Sequence, residues 1–187
     1  MRTLAPQRIA VVAAALLLAA ALSTNAQELR SGTKTVPEDV VAWRALATPT
    51  ADVPGTIQAA AQELEDTVRA SGLTPVGPIY LQFGADRPPA AGTIEWELQL
   101  PLAEAVTAED FPEGGEVQVK VIPERLVAYT YHLGPLEGAQ PSMLRLLAWV
   151  ADHKLTLAGP IWLVLYERDP SVRPDAGLVE LQVEVAK

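Results

Sequence analysis

The side chains of this chain that could bind or react with a ligand are aromatic rings and a few polar groups on predicted strands. Aromatic rings on one face of a sheet suit a flat apolar ligand, and a half-buried carboxylate opposite them suits a cation. The same residues would also fit an ordinary sheet core or a solvated strand surface, and both interpretations stay open. The candidate ligand-binding residues are Tyr80, Gln82, Trp162, Tyr166, Trp43, Tyr129, Glu97 and Glu180.

Other reactive residue types are scarce or unsuitably placed. The chain has no cysteine, which excludes disulfides, thiol catalysis and cysteine-based zinc sites. His132 and His153 are the only histidines and fall on different predicted elements, so we expect no metal site and no cofactor. No glycine-rich phosphate loop, serine nucleophile elbow or His-Glu-x-x-His helix is present. These features favour binding over catalysis, and we expect no catalytic residues.

The N-terminal residues have the pattern of a secretion signal. Arg2 and Arg8 precede an apolar run of about 14 residues, Ile9 to Leu22, and small residues follow up to Ala26. This run is shorter than the roughly 20 residues that span a membrane. We therefore expect residues 1–26 to be a signal peptide and 27–35 a flexible leader, with a retained anchor as the alternative. The mature protein is then periplasmic or secreted, without a stable membrane anchor.

The net charge of the chain limits the classes of partner that it is expected to bind. The formal net charge is -9, and it becomes -11 when the two arginines of residues 1–26 are removed. An acidic surface repels phosphate backbones and anionic lipid headgroups. We expect a small-molecule ligand, with a protein partner as an alternative, and no nucleic acid.

One stretch of the sequence occurs twice. Residues 73–81 and 155–163 are identical at six of nine positions, and Tyr80 in the first copy corresponds to Trp162 in the second. This repeat indicates an internal duplication. We predict an α+β fold of two βαββ modules, 36–102 and 116–187, joined by a linker over 103–115. Such units are small, so they should pack about a pseudo-twofold axis with a central cleft.

Periodicity places the candidate residues on these elements. A helix is predicted from Thr56, its cap, to Gly72, and another from Pro141 to about His153. A strand should follow each Gly-Pro pair of the repeat. Side chains alternate across a strand, so the aliphatic face of these strands should meet the helices. Tyr80, Gln82, Trp162 and Tyr166 would then face the cleft.

The second module resembles the GyrI-like effector-binding domain family, and the resemblance extends over about residues 36–187. The order and spacing of several short motifs carry it. They are Val127-Ala128, His132 to Glu137, Leu147 to Val150, Gly159-Pro160, and Tyr166 followed by Asp169-Pro170. The resemblance implies two SHS2-like βαββ units forming a saddle with a ligand between them. The SOUL haem-binding family shares this fold.

The chain departs from the family at one informative place. Members often carry a glutamate in the penultimate strand, shortly before the tyrosine, where it meets cationic ligands or serves in hydrolase members. Leu163, Val164 and Leu165 occupy that place here. Glu97 or Glu180 could substitute for it if either faces the cleft.

Together these features predict an exported, non-enzymatic protein that binds an apolar or aromatic small molecule, which can also be cationic. A protein-interaction or inhibitor module is the alternative, and a small hydrolase is the third hypothesis.

Overall fold

The computed structural model describes residues 30–84, 92–103, 106, 118–166 and 177–186. The expected signal peptide and most of the expected linker lie outside these residues. The described part contains a sheet of eight strands and two α-helices, which confirms the α+β prediction. Neither of these helices is both long and apolar enough to cross a membrane.

Each half of the described chain has the order strand, helix, strand, strand. The first half is β2, α1, β3 and β4, and the second is β6, α2, β7 and β8, while β1 and β5 each precede a half. The strands are β1 Gly32–Val36, β2 Asp39–Pro49, β3 Ile79–Phe83, β4 Thr93–Pro101, β5 Gln118–Ile122, β6 Arg125–Leu133, β7 Thr156–Leu165 and β8 Leu178–Ala186. The helices are α1 Val53–Ala70 and α2 Gln140–Asp152.

Both helices begin close to a proline. A proline stands in the first turn of each helix, where its missing N–H costs nothing. Helix α1 therefore starts at Val53, before the predicted cap Thr56, whose hydroxyl instead donates to the Asp52 carbonyl at 2.7 Å. Gly72 follows α1 with a φ of 81°, as predicted from the left-handed conformation that ends many helices.

The two Gly-Pro pairs of the repeat take different positions. Gly77-Pro78 directly precedes β3, as predicted. Gly159-Pro160 lies inside β7, which starts already at Thr156, and the pairing of β7 with β8 shifts register between Leu157 and Ile161. A Cβ on Gly159 would lie 2.5 Å from Glu184 Oε2, so a larger residue there would require the Glu184 side chain to move.

The strands form one antiparallel sheet in the order β1-β6-β8-β7-β3-β4-β2-β5. Strand β1 pairs with β6 of the second half, and β5 pairs with β2 of the first half. The flexible-leader prediction is therefore wrong for residues 32–35, which belong to β1. Strand β5, at the start of the predicted second module, pairs in the same way with β2 of the first half.

Two short connections force this sheet to curl. Only Pro37-Glu38 separates β1 from β2, and only Pro123-Glu124 separates β5 from β6. In a flat sheet, β1 and β2 would be six strand spacings apart, about 29 Å. A two-residue connection reaches only about 11 Å. The sheet must therefore bend until its two edges approach each other.

The two faces of the curled sheet differ in what they pack against. Leu81, Leu98 and Leu181 lie on one face and form the main core with Leu64 of α1 and Leu146 of α2. The opposite face, called here the helix-free face, carries neither described helix.

A small separate cluster on the helix-free face shows the direction of the curl. It unites Trp162 of β7 with Val41 of β2 and Ile122 of β5, and Tyr80 packs against it. Strand β7 is three places from β2 and four from β5 in the sheet order, so the sheet curls toward the helix-free face.

Candidate functional site

All eight predicted ligand-binding residues lie on the helix-free face. Strand pairing aligns most of them in two adjacent rows across the sheet. One row is Tyr129, Gln182, Trp162, Gln82 and Glu97, and the other is Tyr131, Glu180, Val164, Tyr80, Gln99 and Trp43. Tyr166 follows β7 and donates its hydroxyl to Glu180 Oε2 at 2.6 Å. Their roles in binding remain a prediction.

Another strand tryptophan, Trp96, lies on the helix side instead. Its ring stacks on Phe83 with centroids 6.3 Å apart, and its indole N–H donates to Thr48 Oγ1 at 3.1 Å. Trp96 is 2% exposed and has its polar atom satisfied, so it belongs to the core.

Glu180 is a buried carboxylate at one end of the site. The side chain is 0% exposed, and Lys34 Nζ lies 2.6 Å from its Oε1. Gln182 Nε2 also donates to Oε1, at 2.9 Å, while Tyr166 donates to Oε2. A buried charge requires such pairing, because burial without a partner costs several kcal/mol.

Glu97 repeats this arrangement at the other end. Its Oε2 forms an ion pair with Lys120 and accepts a hydrogen bond from Gln99 Nε2 at 2.8 Å. The Glu97 side chain is 27% exposed, so this pair is closer to solvent than the Glu180 pair.

Both lysines also lie over aromatic rings. Lys34 Nζ is 5.1 Å from the centroid of Tyr129, and Lys120 Nζ is 4.5 Å from that of Trp43. Each lysine comes from an edge strand, β1 or β5, and crosses the neighbouring strand to reach its glutamate. The protein's own cations thus contact two of the predicted ligand-binding rings.

Sequence reasoning missed these lysines although a signal exists. The pattern Lys-x-x-Pro-Glu occurs at residues 34–38 and again at 120–124. Lys34 itself lies in residues 27–35, the predicted flexible leader, and this prediction hides its correspondence with Lys120.

The centre of the site is where the two halves differ. The residue after each Pro-Glu is Asp39 in the first half and Arg125 in the second. Tyr80 donates its hydroxyl to Asp39 Oδ2 at 3.3 Å, whereas the Arg125 guanidinium stacks on Trp162 with its Cζ 4.2 Å from the ring centroid. The Tyr80 and Trp162 rings meet edge to face, with centroids 6.4 Å apart.

Titration of these central groups reflects their burial. Burial, followed by the charge of Asp39, raises the pKa of Tyr80 to about 12. Burial also raises the pKa of Asp39 and lowers the pKa of Arg125, because it penalises the charged form of each group. The pKa of Tyr166 is raised by burial and by its hydrogen bond to Glu180. The helix-free face is therefore a poorly hydrated environment at its centre.

Several buried polar atoms on this face have no hydrogen-bond partner. The unpartnered donors are Arg125 Nε, Arg125 Nη1 and Trp162 Nε1, and the unpartnered acceptors are Gln99 Oε1 and Gln182 Oε1. These five are the atoms of this kind found among the described residues, and all belong to the same face. Such atoms are rare in protein interiors and require an explanation.

The structure places a carboxylate beside the position where family members often carry a glutamate. Of Leu163, Val164 and Leu165, the middle residue points to the helix-free face, and Glu180 lies directly opposite it on β8. A carboxylate is thus present next to the family position, on the neighbouring strand.

His132 has a structural environment. Its ring is 3% exposed, with Nε2 2.9 Å from the Pro135 carbonyl oxygen and Nδ1 3.3 Å from Ser142 Oγ. Among the described residues, no group of three or more potential metal ligands is close enough together to hold an ion.

Comparison with known proteins identifies the family. The sequence profile of the GyrI-like small molecule binding domain matches residues 40–186, so the chain belongs to the GyrI-like family. No curated protein matches the chain significantly.

Solved structures show the same fold at low sequence identity. The C-terminal domain of EcmrR has a TM-score of 0.68 and 17% identity, covering 85% of this chain and 98% of that domain. A hydrolase from Listeria innocua has a TM-score of 0.58 and 16% identity, covering 85% and 93%. SAV2435 bound to tetraphenylphosphonium has a TM-score of 0.54 and 9% identity, covering 84% and 94%.

The buried ion pair predicts a measurable effect on stability. Replacing Lys34 with Met leaves the Glu180 carboxylate buried without a cation, and breaking buried pairs costs roughly 3–5 kcal/mol. Lys34 is 35% exposed, so solvent moderates the effect, and we expect a loss of about 1–3 kcal/mol. Urea unfolding at pH 7 measures it.

Lys120→Met is the matched control, because it breaks the equivalent ion pair, whose carboxylate is 27% exposed instead of fully buried. It should cost less than about 1 kcal/mol. Adding Glu180→Gln to Lys34→Met should recover part of the loss, since the unpaired charge is removed. Equal losses for the two lysine variants would contradict the role assigned to the Lys34–Glu180 pair.

Proposed function

We propose that this protein is an exported, non-enzymatic binding protein for a flat aromatic small molecule. The ligand lies on the helix-free face, at the junction of β3 and β7, where Tyr80 and Trp162 meet. Membership of the GyrI-like small molecule binding domain family supports a small ligand.

The observation that carries this proposal is the group of unpartnered polar atoms beside buried aromatic rings. Ligand pockets combine mostly apolar walls with a few polar groups that fix the orientation of the ligand. The helix-free face has this composition, with Trp162 and Tyr80 as walls and the indole N–H and two glutamine oxygens as orienting groups.

The proposal includes the finer account of the fold. We infer that the two halves arose by duplication and pack about a pseudo-twofold axis with the ligand between them. The equivalent pairs Lys34–Glu180 and Lys120–Glu97 support this symmetry.

A cationic ligand is less well supported than a neutral or acidic one. Glu97 and Glu180 are each already paired with a lysine, and Arg125 stacks on Trp162. An incoming cation would have to displace one of these charges or accept repulsion from it. SAV2435 bound tetraphenylphosphonium, but its 9% identity carries the fold alone.

Hydrolysis is disfavoured by the surroundings of Glu180. A carboxylate that activates water needs an oxygen free to accept the proton. Lys34, Tyr166 and Gln182 occupy the oxygens of Glu180, which is 0% exposed. The protein-interaction alternative rests on analogy with inhibitory family members and on the acidic charge of the chain, and no contact among the described residues favours it.

Ligand binding is tested with the full-length protein and a panel of neutral, anionic and cationic naphthalene derivatives. Isothermal titration calorimetry measures affinity for the wild type, Trp162→Leu and Trp149→Leu. Removing the Trp162 ring should weaken binding at least about tenfold, because a stacked aromatic contact and its buried area are lost.

Trp149 is the control because it lies on α2, where its ring stacks on His153 with centroids 3.9 Å apart. Its variant should keep the wild-type affinity within about threefold. Equal losses in both variants, or no binding by any compound of the panel, would refute this site.

Export is tested by expressing the full-length chain in a bacterium with a periplasm. N-terminal sequencing of the protein released by osmotic shock should begin near Gln27, because a signal peptidase cleaves after small residues such as Ala26. A protein that stays in the cytoplasm with residues 1–26 attached would contradict export.

A further inference from the structure

The environment of Arg125 shows which chemical group the ligand presents. Arg125 is 6% exposed, and within the described residues it forms no ion pair. Its Nε and Nη1 have no hydrogen-bond partner. A guanidinium carries five N–H donors in a fixed planar fork that matches the two oxygens of a carboxylate. Leaving two of these donors unused inside the protein is costly.

The indole N–H of Trp162 is a third unused donor in the same place. The guanidinium stacks on the Trp162 ring with its Cζ 4.2 Å from the centroid, so the donors of both side chains belong to one stacked pair. Three buried donors without an acceptor define a site that requires an acceptor.

We propose that Arg125 and Trp162 form a binding site for the acidic group of a flat aromatic carboxylate. This inference rests on the proposed function, because it names the chemistry of the ligand on the same face. The carboxylate accepts from Arg125 and from the indole N–H, and its aromatic ring packs against Trp162 and Tyr80.

The two carboxylates whose charges act on Arg125 do not already satisfy its donors. Asp39 and Glu184 act on Arg125 through their charges, but neither lies within ion-pair distance. Asp39 instead accepts the Tyr80 hydroxyl, and the pKa of its carboxyl is raised by burial. The ligand carboxylate therefore supplies the close acceptor that the protein itself lacks.

The difference between the two halves supports this assignment. In the first half the residue after Pro-Glu is Asp39, whose carboxylate accepts a hydrogen bond from Tyr80. In the second half it is Arg125, whose Nε and Nη1 have no hydrogen-bond acceptor. The first half thus completes its own polar contact, and the second half presents donors. A ligand should bind with its acidic group toward the second half.

The test compares 2-naphthoate, 2-naphthamide and 2-naphthyltrimethylammonium, which share one ring system and differ in charge. Calorimetry with the full-length protein should show that naphthoate binds at least about tenfold more tightly than the cation, with the amide between them. Arg125→Met should weaken naphthoate binding at least about tenfold and change amide binding by less than about threefold. Arg125→Lys, which keeps the charge without the fork, should be intermediate.

Arg44→Met is the control, because Arg44 forms its ion pair with Glu63 of α1 on the helix side. It should leave all three affinities unchanged. If Arg125→Met does not fold, NMR of the wild type tests the same contact. The indole N–H signal of Trp162 is assigned by its loss in Trp162→Phe. This signal should move downfield when naphthoate binds and should not do so when the cation binds.

The outcomes separate this inference from the proposed function. Tighter binding of the cation than of naphthoate, or a naphthoate affinity that Arg125→Met leaves unchanged, overturns the carboxylate site while aromatic binding on this face stands. Failure of every compound to bind overturns both. The predicted order of affinities together with the selective loss in Arg125→Met supports both.

Discussion

The constraint on which the rest of the structure depends is the length of two connections. Pro37-Glu38 and Pro123-Glu124 each join an edge strand to a strand that lies six places away in the sheet order. Two residues can bridge that separation only if the sheet curls and its edges meet. The curl turns the helix-free face inward and brings Val41 and Ile122 together with Trp162. Aromatic and charged residues from distant strands thereby share one buried environment.

The pairing of β1 with the second half and of β5 with the first half also determines which charges lie on the helix-free face. Because β1 joins the second half and β5 the first, each brings a lysine to a glutamate of that half. The carboxylates of Glu97 and Glu180 are thus each neutralised by a lysine of the same chain. Arg125 is left with unused donors, so the preference that we propose for an acidic ligand follows from the topology as much as from the residue types.

Much of the architecture was predictable because it depends on local signals. Alternation in β3 and β7 correctly separated Tyr80, Gln82 and Trp162 from the aliphatic residues that meet the helices. Local sequence also predicted the start of α2 from the proline in its first turn, and the end of α1 from Gly72. The strand pairing was not predictable in this way, because it joins residues far apart in sequence. A signal against simple hairpins was present, since two-residue hairpin turns favour Asn-Gly or Gly-containing pairs and not Pro-Glu.

The polar part of the site was predicted incompletely for a related reason. Glu97 and Glu180 could be placed on the correct face by alternation, but their lysine partners depend on which strands become neighbours. Lys34 lies in a short polar segment without an apolar repeat, and its β-branched neighbours give only a weak local signal for a strand. Its order comes from pairing with β6 and from the buried carboxylate of Glu180.

The central claim is that the inward face of the curled sheet holds the ligand, with Trp162 as its aromatic wall. A crystal structure of the protein grown with 2-naphthoate tests this claim most directly. The account predicts electron density for the naphthalene ring against Trp162 and Tyr80, with the carboxylate within hydrogen-bond distance of Arg125. Density for the ligand on the helix side of the sheet, with the contacts of Arg125 and Trp162 unchanged, would contradict it.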